Sequence, residues 1–246
     1  MTVPRLSVVI PAYNESARLP ATLRRVREYL GAEGISHEIV VVDDGSDDDT
    51  SEQARQAGGL AAVVVRNETN RGKGYSVRRG MLLARGERLL MTDADLSTPI
   101  EELPRLQARL DEGYDVAIGS RAVAGARIEV HQRWFRENVG RAFNVLVRAL
   151  ALPGLKDTQC GFKLFTAQAA REAFSLARLD GFSFDVEALF IARLHRRRIA
   201  EVPVVWRNDA ATRVDTLRGA LAFLDVARIR WTAWRGRYSA GGAREL

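Results

Sequence analysis

Residues 88–98, RLLMTDADLST, run from a short apolar stretch directly into two aspartates one residue apart. Side chains alternate along a strand with period two, so a strand carried through Asp95 would point Asp93 and Asp95 to the same side. Two adjacent carboxylates repel unless a cation lies between them, and oxygen donors of this kind suit Mg2+ or Mn2+ rather than zinc. The competing reading is a solvated turn or a helix N-cap, because Asp95, Ser97 and Thr98 precede Pro99 and a helical pattern. The rest of the chain decides between the two.

Working outward, the same grammar repeats. LSVVIPAYNE (6–15) is a β-branched run stopped at Pro11, followed by a helical pattern from Pro20 to Leu30. HEIVVVDDGS (37–46) is a second such run ending in acids, and SDDDTSEQARQAG reads as a capped helix closed by Gly58 and Gly59. AAVVVRN (61–67) predicts a third strand and GKGYSVRRGMLLARG (72–86) a glycine-led helix. After RLLMTDAD (88–95) come a helix from Pro99 to Glu112 and the strand YDVAIGSR (114–121). Alternating strands and helices, with strands apolar on both faces, predict an α/β domain on a mostly parallel sheet.

Ligands of such sheets sit beyond the carboxyl ends of the strands. Tyr13-Asn14-Glu15, Asp43-Asp44, Asn67 to Asn70, Asp93/Asp95 and Arg121 all fall there. Five polar strand ends favour a site over chance solvation.

Beyond residue 125 the pattern changes. Residues 131–152 read as a long helix, DTQCGFKLF (157–165) as a turn into a short strand, and a helix follows to Leu176. IAEVPVVW (199–206) predicts a strand, and 215–235 an arginine-rich amphipathic helix. The chain therefore divides into a domain over 1–210 and a basic helical tail over 211–246.

Composition narrows the function classes. The net charge of +6, from 37 basic against 31 acidic residues, suits anionic partners: phosphates, nucleic acid or an anionic membrane surface. No nucleic-acid motif accompanies it, so nucleic acid is not an expected partner. A single cysteine, Cys160, excludes a disulfide framework and a cysteine-rich zinc site and fits a reducing compartment. The N-terminal residues meet prolines and charges too early for a secretory leader, and no apolar run reaches the roughly 18–20 residues of a membrane span. A cytoplasmic protein is expected.

Three loops carry candidate chemistry. NRGKGYSVRRG sets glycines 72 and 74 around Lys73 before a helix start whose N–H groups favour anions. It lacks the P-loop spacing, and no G-x-G-x-x-G follows the first strand, so neither an NTPase nor a dinucleotide site is expected. Asp43 and Asp44 can accept hydrogen bonds from a ribose or a base N–H. Asp47, Asp48 and Asp49 read instead as a helix N-terminus complementing its dipole.

Together SVVIPAYNE, VVDDGSDDDT, NRGKGYSVRRG, TDADLST and IGSR stand in the order of the family 2 glycosyltransferases, and the resemblance covers residues 5 to 210. DTQCGFKLF, FSFDVEAL and EVPVVW make the chain most similar to the branch acting on polyprenyl phosphates, the dolichyl-phosphate β-glucosyltransferases, with the mannosyltransferases as close relatives. The resemblance implies a GT-A fold, a nucleotide-sugar donor (a UDP- or GDP-hexose, UDP-glucose favoured) and a polyprenyl phosphate acceptor. It also implies residue roles. Pro11, Tyr13, Glu15, Asp43 and Asp44 would hold the nucleoside, and Lys73 would lie near the pyrophosphate. Asp93 and Asp95 would form the D-x-D motif for Mg2+ or Mn2+. Arg121 and Arg141, assisted by Arg136, would grip the acceptor phosphate. Ser97 stands where mannosyltransferases often carry Gln, which favours glucose.

Charge then sets the mechanism to be expected. A bound divalent cation would stabilise the leaving nucleoside diphosphate. A phosphate acceptor is largely ionised near neutrality and needs positioning by forked arginines rather than a strong base. A hydroxyl acceptor would need a base, for which Asp157 is the candidate. In the tail, Leu217, Leu221, Leu224 and Trp231 recur at helical spacing beside Arg228, Arg230, Arg235 and Arg237, a pattern expected to dock peripherally on the cytoplasmic face of a membrane, with packing back onto the domain as the alternative.

Overall fold

The structure, a computed structural model, describes residues 3–130, 145–207 and 216–239. In its first half strands and helices alternate. β1 (Leu6–Ala12), α1 (Leu19–Ala32), β2 (His37–Asp43), α2 (Thr50–Gly58), β3 (Ala62–Arg66), α3 (Lys73–Leu83), β4 (Arg88–Thr92), α4 (Leu103–Asp111) and β5 (Val116–Ser120) follow one another. Then come β6 (Arg127–Val130), a helical stretch at 145–150, β7 (Phe162–Thr166), α5 (Ala167–Leu176), α6 (Phe184–Leu194), β8 (Ile199–Pro203), β9 (Val205–Arg207) and α7 (Thr216–Trp234).

Seven strands form one sheet in the order β3-β2-β1-β4-β7-β5-β8, and β6 pairs with β9 beside it. All pairs of the main sheet are parallel except those of β7, which runs antiparallel to both β4 and β5. Successive residues of β1 bury on opposite faces: Val9 joins a core with α3, α5 and α6, while Val8 and Ile10 join one with α1 and α4. Both faces are covered, which is why these strands read as unbroken apolar runs.

The chain departs from the expected elements in four places. β4 stops at Thr92, so Asp93 and Asp95 stand on the loop after it, where strand alternation does not govern them. Leu96 takes φ 45°, a left-handed turn that the apolar pattern conceals. The strand expected over 199–206 breaks into β8 and β9, because Val205–Arg207 leaves the main sheet to pair with β6, an element not anticipated from sequence. The helix expected from Pro99 begins as a 3-10 turn at Ile100–Glu102 and becomes α-helical at Leu103. The long helix expected over 131–152 lies largely outside the described residues.

The C-terminal α7 packs on the main domain: Val226 and Ile229 are fully buried in the core that holds Phe190, and Tyr238 beyond it donates to Glu187 Oε1 at 2.6 Å. Its other side carries exposed Leu224, Trp231 and Trp234. Among the described residues no helix is long and apolar enough to cross a membrane.

Candidate active site

The strand order reverses direction at β1, with β2 on one side and β4 on the other, and in open parallel sheets ligands bind at such a switch point. The loops leaving β1 and β2 are stitched together there. Asn14 N donates to Ser46 Oγ at 2.9 Å, Glu15 N to Thr50 Oγ1 at 2.8 Å, and Asp47 N to Asn14 Oδ1 at 2.9 Å. Asn14 itself holds φ 54°, which Asn tolerates better than most residues. Tyr13 stays exposed at the rim, Glu15 pairs with Arg18, and Pro11 is buried within β1.

The two carboxylates at the end of β2, expected to hold the nucleoside, are both engaged within the protein. Asp43 is fully buried, and its Oδ1 accepts from Ser46 N at 2.9 Å and Ser46 Oγ at 2.6 Å while Ser51 Oγ donates to Oδ2. Asp44 accepts from Asn67 Nδ2 at 2.7 Å, Arg71 N at 3.0 Å and Gly72 N at 2.8 Å. Asp43 therefore shapes the turn, and Asp44 pins the glycine loop. The helix-start role read for Asp47, Asp48 and Asp49 rests on Asp48, which accepts from Thr50 N at 3.0 Å; Asp49, in the N-cap position, makes no side-chain capping bond.

The glycine loop is likewise not a bare anion cradle. Gly74 N and Tyr75 N, in the first turn of α3, both donate to Asp180 O, at 2.8 and 3.2 Å. Glycine is required because the chain at 179–181 lies against it: a Cβ on Gly72 would collide with Asp180 O, and one on Gly74 would stand 2.5 Å from Leu179 O. What this loop presents to the site is the Lys73 ammonium, which lies 2.6 Å from Asp93 Oδ1. Burial alone would weaken the protonated form, but Asp93, Asp185 and Asp95 outweigh it and hold the Lys73 pKa above its ordinary value.

Because β7 is antiparallel, its beginning rather than its end reaches the ligand side. Gly161 O accepts from Asp93 N at 3.2 Å, and a Cβ on Gly161 would overlap the Asp93 carboxylate. Beneath this loop Lys163 is buried, donating to Cys160 O at 2.5 Å and Asp185 Oδ1 at 2.6 Å. Burial pushes the Asp185 carboxyl up against the pull of Lys163 and Lys73, and pushes the Cys160 thiol up to about 11, which suits a packed side chain rather than a nucleophile. Lys163 and Asp185 were not singled out from sequence; a lysine inside the apolar run FKLF was the available signal, since an unpaired buried ammonium is too costly to persist.

Asp157, the base candidate, is buried in a two-pronged pair with Arg121. Nε donates to Oδ2 at 2.7 Å and Nη2 to Oδ1 at 2.9 Å, with Arg121 N adding a third bond at 2.9 Å. Burial would raise the Asp157 pKa, yet the guanidinium overrides it and holds the carboxyl below the usual range. A carboxylate so committed is a poor proton acceptor. The same pair engages two nitrogens of Arg121, the residue expected to grip the acceptor phosphate. Arg136 and Arg141 lie outside the described residues.

For a divalent cation the fit is good. Asp93 Oδ1 is buried and, despite the Lys73 ammonium nearby, accepts no well-directed hydrogen bond. Asp95 stands two residues on, its Oδ1 accepting from Ser97 N at 2.9 Å. Among the described residues no three His, Cys, Asp or Glu side chains converge into a complete cage. Two carboxylates completed by phosphate oxygens and water are how Mg2+ is commonly held.

Comparisons with known proteins give the family and the fold. The model of "Glycosyl transferase family 2" matches residues 7–174. The dolichyl-phosphate β-glucosyltransferase of Homo sapiens is 38% identical over 217 residues, covering 82% of this chain and 67% of its own length. That of Dictyostelium discoideum is 35% identical over 241 residues, covering 92% and 74%. Among solved structures, glucosyl-3-phosphoglycerate synthase from Mycobacterium tuberculosis, in complex with Mn2+, UDP-glucose and phosphoglyceric acid, superposes with a TM-score of 0.70 at 21% identity, covering 92% of this chain and 79% of its own. The shared architecture is the GT-A fold. With a match over most of its length and relatives above 30% identity, the chain belongs to glycosyl transferase family 2.

Proposed function

We propose that the protein transfers glucose from UDP-glucose to a polyprenyl phosphate of the dolichyl type, with inversion at the anomeric carbon. The observation that carries the acceptor class is the Arg121–Asp157 pair. With Asp157 locked and its pKa lowered, the carboxylate named as a base is withdrawn, whereas a phosphate monoester, second pKa about 6, attacks without one. The names of the similar glucosyltransferases support glucose and a dolichyl phosphate, and the bound UDP-glucose of the M. tuberculosis enzyme supports the donor.

Within this reading Tyr13 and Glu15 border the nucleoside, and Asp43 and Asp44 fix the loops around it. Asp93 and Asp95 would hold Mg2+ or Mn2+, which supplies positive charge opposite the leaving diphosphate when bound. Lys73 reaches the same region as a second cation. Arg121, Arg136 and Arg141 are assigned to the acceptor side by the family resemblance. The acceptor is lipid-borne, so the protein would work peripherally on a membrane, at its cytoplasmic face, with the exposed Leu224, Trp231 and Trp234 of α7 as its apolar contact.

The test is to incubate the protein with UDP-glucose or GDP-mannose, Mg2+ or Mn2+, and either a short polyprenyl phosphate or the matching polyprenol. A β-linked glucosyl lipid phosphate is expected from UDP-glucose alone. Equal transfer to the alcohol would overturn the acceptor, and preference for GDP-mannose the donor. Asp93→Ala and Asp95→Ala are expected to lower transfer by 100-fold or more, on the order of one lost electrostatic contact to the leaving group.

A further inference from the structure

Lys73 and a divalent cation held by Asp93 would compete for one carboxylate. The ammonium stands 2.6 Å from Asp93 Oδ1, the buried carboxylate oxygen that would ligate the metal. A cation carrying two charges cannot settle on that oxygen with a third charge in contact, so one of the groups must give way.

The surroundings decide which. Asp93 is wedged: its backbone N–H is tied to Gly161 O, and its carboxylate lies so close to Gly161 that a single added carbon would overlap it. The backbone of Lys73 is no freer, since Gly72 N is held by Asp44, and Gly74 N and Tyr75 N by Asp180 O. What can move is the Lys73 side chain, four rotatable bonds ending in a charge. Away from Asp93 it needs another anion, and the diphosphate of the donor is the anion that comes with the reaction.

We propose that Lys73 is a resident counter-ion which occupies the metal position at Asp93 until a nucleoside diphosphate draws it off, so that metal and donor bind cooperatively and the metal alone binds weakly. The inference rests on the reading of Asp93 and Asp95 as metal ligands. Lys73 is thereby a positioning residue that opposes the metal only while nucleotide is absent. A merely structural lysine would not produce that dependence.

Mn2+ binding, followed by the loss of the free-ion electron paramagnetic resonance signal, tests it without turnover. In wild-type protein Mn2+ is expected to bind weakly alone and about tenfold or more tighter with UDP present, a coupling that must be reciprocal. Lys73→Gln is expected to bind Mn2+ alone about tenfold tighter than wild type, while its affinity for UDP falls and the Mn2+–UDP coupling shrinks toward one. Lys73→Arg keeps the charge and is expected to keep metal binding weak in the absence of UDP. Lys73→Gln binding Mn2+ alone no better than wild type overturns the proposal, as does Lys73→Arg behaving like Lys73→Gln. The parent reading fails separately: Asp93→Ala with undiminished UDP-dependent Mn2+ binding would remove Asp93 as a ligand. Normal metal coupling without glucosyl transfer would instead spare this inference and reject the substrates.

Discussion

Asp157 shows how one contact changes a residue's chemistry. From sequence, an aspartate before Thr158 in a turn is as good a base as any; three hydrogen bonds from Arg121 make it an anchor. The pair ties the end of β5 to the loop before β7, and breaking a buried pair costs about 3–5 kcal/mol. Arg121 is a quarter exposed, so the low end applies: Asp157→Asn is expected to lose about 3 kcal/mol near neutrality in a denaturant titration. The pH dependence has a definite sign. The folded-state pKa of Asp157 is depressed, so its contribution is complete above the unfolded value and is lost as pH falls through the folded one. Wild type and Asp157→Asn should therefore differ by a constant amount above about pH 5 and converge below it. A gap that widens in acid would mean that the pair does not carry this charge. Transfer activity adds a second reading: if Asp157 were the base, Asp157→Asn would abolish turnover in protein that is still folded.

At the scale of elements, the parallel half of the sheet was legible because β1, β2 and β4 are buried on both faces and end in polar residues at one rim. The antiparallel β7 was not legible as such. FKLF signals a strand but carries no sign of direction, and its direction is what brings Gly161 rather than Thr166 to the ligand side. The same blindness hid the partnership of Gly72 and Gly74 with residues 179–181, a contact between segments about a hundred residues apart. The glycines could be read as a loop but not as a place where two backbones touch. Gly161→Ala tests the consequence. Its Cβ would overlap the Asp93 carboxylate, so Asp93 must rotate or β7 must shift. Overpacking of this kind costs about 1–3 kcal/mol, tolerable for a domain of this size. UDP-dependent Mn2+ affinity is expected to fall at least about tenfold while thermal unfolding remains cooperative, in keeping with a lost interaction of about 1.4 kcal/mol or more. Unchanged Mn2+ affinity would show that the wedge against Gly161 does not set the position of Asp93.

For the whole molecule, the question is how a protein carrying a net charge of +6 meets a lipid-borne acceptor. Arginine-rich stretches suggest anionic lipid, but many of these arginines are spent internally: Arg193 on Pro153 O, Arg197 on Glu172 and Asp115, Arg198 on Gly113 O. Net charge alone is therefore a weak guide to the contact. Docking on a membrane is the expectation for the tail and packing onto the domain the alternative; the structure shows one side of the helix packed and the other exposed. Val226, Ile229 and Tyr238 belong to the core, while Leu224, Trp231 and Trp234 are exposed, the two indoles 5.2 Å apart with Arg235 over the Trp231 ring. Removing residues 215–246 would strip core side chains and leave Glu187 Oε1 without its Tyr238 partner, so a deletion confounds docking with unfolding. Substituting the exposed pair avoids this. Trp231→Ala combined with Trp234→Ala is expected to change the unfolding free energy little, because neither ring sits in the core. If α7 is the membrane contact, the double variant should lose binding to vesicles containing anionic lipid by about tenfold or more, since indoles at headgroup depth supply the apolar part of such binding. UDP affinity should stay at the wild-type value. Flotation with vesicles at low and moderate salt measures the loss, and the part that survives in the variant should be the salt-sensitive, arginine-driven part. Equal flotation of wild type and double variant would remove α7 as the docking element and leave the two tryptophans as surface residues.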